Sequence, residues 1–142
     1  MADPEPSSTV GLDTSVVVRV LTGEPPAQAE RARGFIWELH RRGRRAIVSD
    51  LVVAEAYFAL HAHYGVPKRK AIEALLALLD AGVVLPEPGG RSVDVLRAMT
   101  AASGSPGFVD RLLHAQYLRA AGQVASFERA FRKLPNTVVL EA

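Results

Sequence analysis

The chain has 142 residues, 49% of them apolar and 23% charged, with 17 Lys and Arg against 15 Asp and Glu for a net charge of +2. That length suits one domain able to bury a core, and the apolar share excludes disorder over most of it. No cysteine is present, which removes disulfides, thiolate metal sites and cysteine nucleophiles together.

Residues 1–8 carry neither the basic start nor the apolar stretch of a secretory signal, and they are expected to form a disordered lead-in to a domain over 9–142. No apolar run reaches the roughly 18 residues that a membrane helix needs, so a cytoplasmic protein without a membrane partner is expected. A short apolar strand over 9–12 ends at Asp13, and a helix over 14–21 stops at Thr22 and Gly23. Pro25 and Pro26 open a second helix, because a first-turn position has no use for the missing N–H; Gly43 ends it near 42. A buried-type strand over 46–49 leads into a helix over 51–64 with Ser49 and Asp50 as its cap. The next helix, 68–81, places Ile72, Leu75, Leu76 and Leu79 at the 3.6-residue period.

A third strand is expected over 83–85, then a Pro/Gly turn to 90 and a helix over 92–102 capped by Ser92. After the loop 103–107 come a helix over 108–121, a strand over 123–125, a helical turn over 128–133 and a last strand over 137–140. Strands separated by helical crossovers imply an α/β fold: a parallel sheet of four to five short strands flanked by helices. Basic residues gather in three knots: Arg41, Arg42, Arg44 and Arg45; Lys68, Arg69 and Lys70; Arg129, Arg132 and Lys133. Each is either a solvated face or a set of phosphate contacts.

Four carboxylates stand among apolar neighbours, where an ionised group is costly without compensation: Asp13, Glu55, Asp110 and Glu128. Sites in parallel sheets form beyond the carboxyl ends of the strands. Asp13 follows the first strand, Glu55 lies in the second turn after the second, Asp110 opens the helix before the fourth, and Glu128 lies past the fourth. All four are therefore expected at one edge. Two carboxylates about 4 Å apart repel by about 4 kcal/mol at an effective dielectric near 20, a heavy load for a small domain. A cation relieves it, and oxygen donors without His or Cys favour Mg²⁺ or Mn²⁺.

The segments Leu12-Asp13-Thr14-Ser15, Ser49-Asp50-Leu51-Val52-Val53-Ala54-Glu55, Asp110 with its helix, and Ser126-Phe127-Glu128-Arg129-Ala130-Phe131 carry a further signal in their order and placement. Together they resemble the PIN-domain nucleases, and in size and layout the VapC-type toxins of toxin–antitoxin pairs, over about 10–140. The resemblance implies a single PIN-like domain, a metal-dependent endoribonuclease that hydrolyses RNA phosphodiester bonds, a homodimer and a cognate antitoxin. It carries the catalytic and metal-binding roles onto Asp13, Glu55, Asp110 and Glu128. Relatives usually have Asp where Glu128 stands, which keeps open the alternative of a catalytically weak or inactive RNA- or protein-binding module.

Asp13, on the most rigid anchor, is the expected central ligand, with Asp110 sharing it. Glu55 would ligate through water or orient the attacking water, and Glu128 would hold a metal-bound water or a second ion. Thr14, Ser15 and Ser126 offer hydroxyls beside the acids, either to orient carboxylate or phosphate or as plain cap and turn residues. Arg19, Arg111, Arg119 and Arg129 are the expected phosphate contacts.

His40, His61, His63 and His114 form no ligand set and are expected at a surface or interface. Asp50 and Asp94 are expected to cap helices. Trp37, with Phe35, Ile36 and Leu39, is read as a helix face turned to the core or to a partner. No glycine-rich phosphate loop followed by Lys and Ser/Thr occurs, so nucleotide hydrolysis is not expected.

Overall fold

The computed structural model describes residues 8–99 and 104–141. The expected lead-in, apart from Ser8, and the end of the helix expected to reach 102 lie outside those residues. Five strands and six helices alternate: β1 (Thr9–Gly11), α1 (Thr14–Thr22), α2 (Pro26–Arg41), β2 (Arg45–Val48), α3 (Asp50–Ala62), α4 (Lys68–Asp80), β3 (Val84–Pro86), α5 (Ser92–Met99), α6 (Phe108–Tyr117), β4 (Val124–Ser126) and β5 (Thr137–Val139). A 3-10 turn, Arg129–Lys133, separates the last two strands.

Every strand pair is parallel, as helical crossovers require. The strands form two ladders, β1-β2-β3 and β4-β5, instead of one continuous sheet. Each strand has three or four residues, so neither ladder extends far. In the larger ladder Val10 lies beside Ala46 and Ala46 beside Val84. The Leu12 N–H donates to the Ile47 carbonyl at 2.9 Å, carrying the pairing one residue past β1 and fixing where Asp13 leaves the sheet.

Local chemistry explains the helix limits. Gly23 ends α1 at φ 73°, a left-handed conformation that glycine adopts without strain, and its N–H closes on the Arg19 carbonyl. Ser49 caps α3 through its hydroxyl, which accepts the Val52 N–H at 3.1 Å. On α4 the buried positions are Ala71, Ile72, Leu75 and Leu79, while Leu76 stays at the margin. The core centres on Val48, Val53, Leu75, Val84, Leu96 and Phe108, with the Tyr57 ring edge-on to Phe108 at 5.2 Å. Through that contact α6 packs on α3. On α2, Ile36 and Leu39 are buried, whereas Phe35 and Trp37 remain exposed.

Two residues take roles different from those expected. His114 is buried, and its Nε2 lies 2.7 Å from the Pro135 carbonyl, so it ties α6 to the loop before β5. A histidine on the inward face of an amphipathic helix has to find such a partner. Ser92 is the first residue of α5 rather than its cap, and it is fully buried. The acceptor for that helix end is Asp50, 42 residues earlier.

Candidate active site

Leu12 is buried and pins the end of β1; Asp13 then emerges as the N-cap of α1. Its carboxylate makes no capping bond and instead accepts from the Ser15 hydroxyl at 3.1 Å. The next residue reaches across the fold: the Thr14 hydroxyl donates to Glu55 Oε1 at 3.0 Å, joining positions 41 apart in sequence. Glu55 sits in the second turn of α3, and α1 packs directly on that helix. The strand-end acid and the helix acid therefore share one rim, linked through the Thr14 hydroxyl.

Beside that link lies a hollow of about 430 Å³ lined by Thr14, Ala54, Glu55, Phe58, His63 and Val109. Val109 is in the first turn of α6 and precedes Asp110, so the N-terminal end of α6 borders the same hollow. His63, expected at a surface or interface, lines it too, its ring edge-on to Phe58 at 5.9 Å. Glu128 follows β4 in the smaller ladder, and its backbone N–H donates to the Ser126 hydroxyl at 2.9 Å. Ser126 thus forms the turn that leads into Glu128.

All four acids are exposed, which corrects the premise that their apolar neighbours bury them. Apolar residues adjoin them along the chain, but the helix and the strand ends turn the carboxylates outward into water. Among the described residues the buried carboxylate is Asp50, 2% exposed. Its oxygens accept the backbone N–H groups of Arg91 and Ser92 and the side-chain amide of Gln116, at 2.9 to 3.1 Å. Its own N–H donates to Glu87 Oε1 at 2.8 Å. These partners lie 37 to 66 residues away, so a local sequence pattern cannot reveal them.

The expected phosphate ligands are dispersed. Arg19 is one helical turn from Ser15, with Nη1 on the Ser15 carbonyl and Nε on Gln28 Oε1. Arg111 Nε donates to the Pro106 carbonyl at 2.7 Å, and Arg119 Nη1 to the Gly89 carbonyl. Arg129 is exposed at the start of the 3-10 turn. Of the four, Arg19 adjoins the Asp13 rim.

The donors at the rim are hard oxygens, the chemistry that suits a small divalent ion. As placed they give an incomplete set: among the described residues no three His, Cys, Asp or Glu side chains are grouped to hold a metal. Thr14 and Ser15 each hold one carboxylate at the rim, Glu55 and Asp13 respectively.

Parallel strands flanked by six helices among the described residues, with carboxylates beyond the strand ends, define an α/β domain whose candidate site lies at the carboxyl edge of its sheet. The PIN domain family matches residues 10–136, and the chain belongs to that family, a nuclease family whose members typically use a divalent metal. No curated protein matches the sequence. Among the described residues no helix is long and apolar enough to cross a membrane.

Proposed function

We propose that this PIN domain is a Mg²⁺- or Mn²⁺-dependent endoribonuclease, the VapC-type toxin of a toxin–antitoxin pair acting in the cytoplasm. The observation that carries the reading is the Thr14–Glu55 hydrogen bond beside Asp13, which brings two of the acids to one rim. Asp13 and Glu55 would hold the ion, with Asp110 and Glu128 completing the set. The ion, when bound, supplies Lewis acidity toward water and toward the departing oxygen.

The chain's own contribution is placement. Ser15 keeps the Asp13 carboxylate turned toward α1, and Thr14 keeps Glu55 turned toward the strand end. Arg19 and Arg129 offset the repulsion between acids and RNA phosphates. Leu51 on α3 and Leu113 and Tyr117 on α6 are exposed apolar residues on two packed helices outside the lining of the hollow beside Glu55, and they support a homodimer. The α4 positions Ala71, Ile72, Leu75 and Leu79 are spent on the core and offer less. A cognate antitoxin is the expected protein partner, covering the acidic rim.

The test is cleavage of RNA by purified protein with Mg²⁺ or Mn²⁺ and with chelator, for the wild type and Asp13→Ala. Metal-dependent cutting that disappears in a folded Asp13→Ala variant supports the reading; equal cutting by both defeats it. The ungrouped acids favour a second reading, an inactive RNA- or protein-binding module. Its signature is thermal stabilisation by Mn²⁺ with no cleavage.

A further inference from the structure

A second hollow, about 470 Å³, lies between α1 and α2 and opens beside Ser15, one hydrogen bond from the Asp13 carboxylate. That volume is within the range of small-ligand sites, roughly 300–1,000 Å³. Val16 and Ala32 give it an apolar floor, Arg19 and Arg31 are its two charged residues, and no carboxylate lines it. Phe35 is 46% exposed, an aromatic ring left half in water at the mouth of a cationic groove. The Arg19 guanidinium is steadied by Gln28 and the Ser15 carbonyl. Five N–H donors per guanidinium leave others for an anion.

An apolar floor with an aromatic ring at its mouth and a cationic rim match the base and the phosphate of one nucleotide, and the neighbouring catalytic candidate lies where the adjoining phosphodiester would pass. We infer that the α1–α2 groove is the subsite for one unpaired nucleotide of the RNA substrate, with its base against Phe35 and its phosphate on Arg31 and Arg19. The inference rests on the endoribonuclease reading and adds where a nucleotide beside the cut is held, between α1 and α2. Phe35 and Arg31 become substrate-binding residues, and because Phe35 tolerates any base face, selection at this position follows stacking strength more than hydrogen-bond pattern.

Binding and cleavage are measured separately. A short unstructured RNA carrying 2-aminopurine is titrated into metal-free protein in chelator, and the same RNA is then cut in Mn²⁺. Phe35→Leu should weaken binding about tenfold and reduce the fluorescence change from stacking, with Phe35→Tyr restoring both. In cleavage, the loss should fall on KM rather than kcat. Arg31→Gln should lower the slope of log Kd against log salt by about 0.7, the value for one phosphate contact on a single strand. Phe35-dependent binding without any cleavage would sustain the subsite while removing the nuclease reading. Cleavage by the wild type with Phe35→Leu and Arg31→Gln unchanged in both assays overturns the subsite alone and leaves the groove to a protein segment. Absence of RNA binding by the wild type overturns it as well.

Discussion

Asp50 offers the sharpest test of how the fold supports the site. Replacing it by Ala removes an acceptor that serves the first N–H groups of α5 and the Gln116 amide, all from a position 2% exposed. The Arg91 and Ser92 N–H groups would be left without a partner at a helix end that water reaches poorly. Each buried donor left unsatisfied costs about 1–3 kcal/mol, and the two backbone N–H groups together suggest roughly 3–4 kcal/mol. For a domain of this size, about 3–4 °C of Tm accompanies each kcal/mol, so Tm should fall by roughly 10–15 °C.

Urea denaturation and calorimetry measure it. Asp50→Asn separates charge from shape: it keeps one acceptor oxygen but turns an amide N–H₂ toward backbone donors, so its loss should be intermediate. Glu55→Gln, the same chemical change on an exposed face, should move stability by no more than about 0.5 kcal/mol. Gly90→Ala should also destabilise, since a Cβ there would meet Asp50 Oδ1 at 2.9 Å and the Glu87 carbonyl at 3.1 Å. An Asp50→Ala variant as stable as Glu55→Gln would refute this role for Asp50.

Thr14→Val removes the hydroxyl that holds Glu55 and should reduce metal-dependent cleavage about 10- to 100-fold, with Thr14→Ser restoring it and Tm hardly changed; steady-state kinetics and Mn²⁺ titration read this out. His114→Ala should destabilise by about 1–3 kcal/mol by leaving the Pro135 carbonyl unpaired, seen as faster hydrogen exchange in β5 and the loop before it. Burial pushes the Tyr57 phenol above its ordinary value of 10.0, because the anion is poorly solvated there. The unfolded chain therefore ionises this group first: its contribution is intact below about pH 10 and is lost as pH rises toward the folded value. Tyr57→Phe should flatten that alkaline decline in urea midpoints; an unchanged slope would show that Tyr57 does not contribute.

The alternation of strands and helices was legible because its signals are local: Gly23 and Ser49 mark helix ends, and the α4 period marks a buried face. The division of the strands into two ladders was not, since three-residue strands carry no pattern that names a neighbour. Asp13 and Glu55 were found as unusual acids within apolar segments, although exposure, not burial, is their state. Asp50 and Asp13 differ little in sequence context: each follows a strand and opens a helix. What separates them is where the β3–α5 turn folds back, placing Arg91 and Ser92 on one carboxylate and leaving the other to Ser15.

That difference bears on how loss of function should be read. The candidate catalytic acids are exposed and make few bonds, so removing one costs the fold little and relieves repulsion at the rim. A defect in Asp13→Ala or Glu55→Ala then speaks to chemistry. Asp50 stands at the first turn of the helix that carries Glu55, so its loss disturbs both stability and the Glu55 position. A cleavage defect in Asp50→Ala that recovers on cooling, beside one in Asp13→Ala that persists at every temperature, separates the residue that builds the rim from the residue that works there.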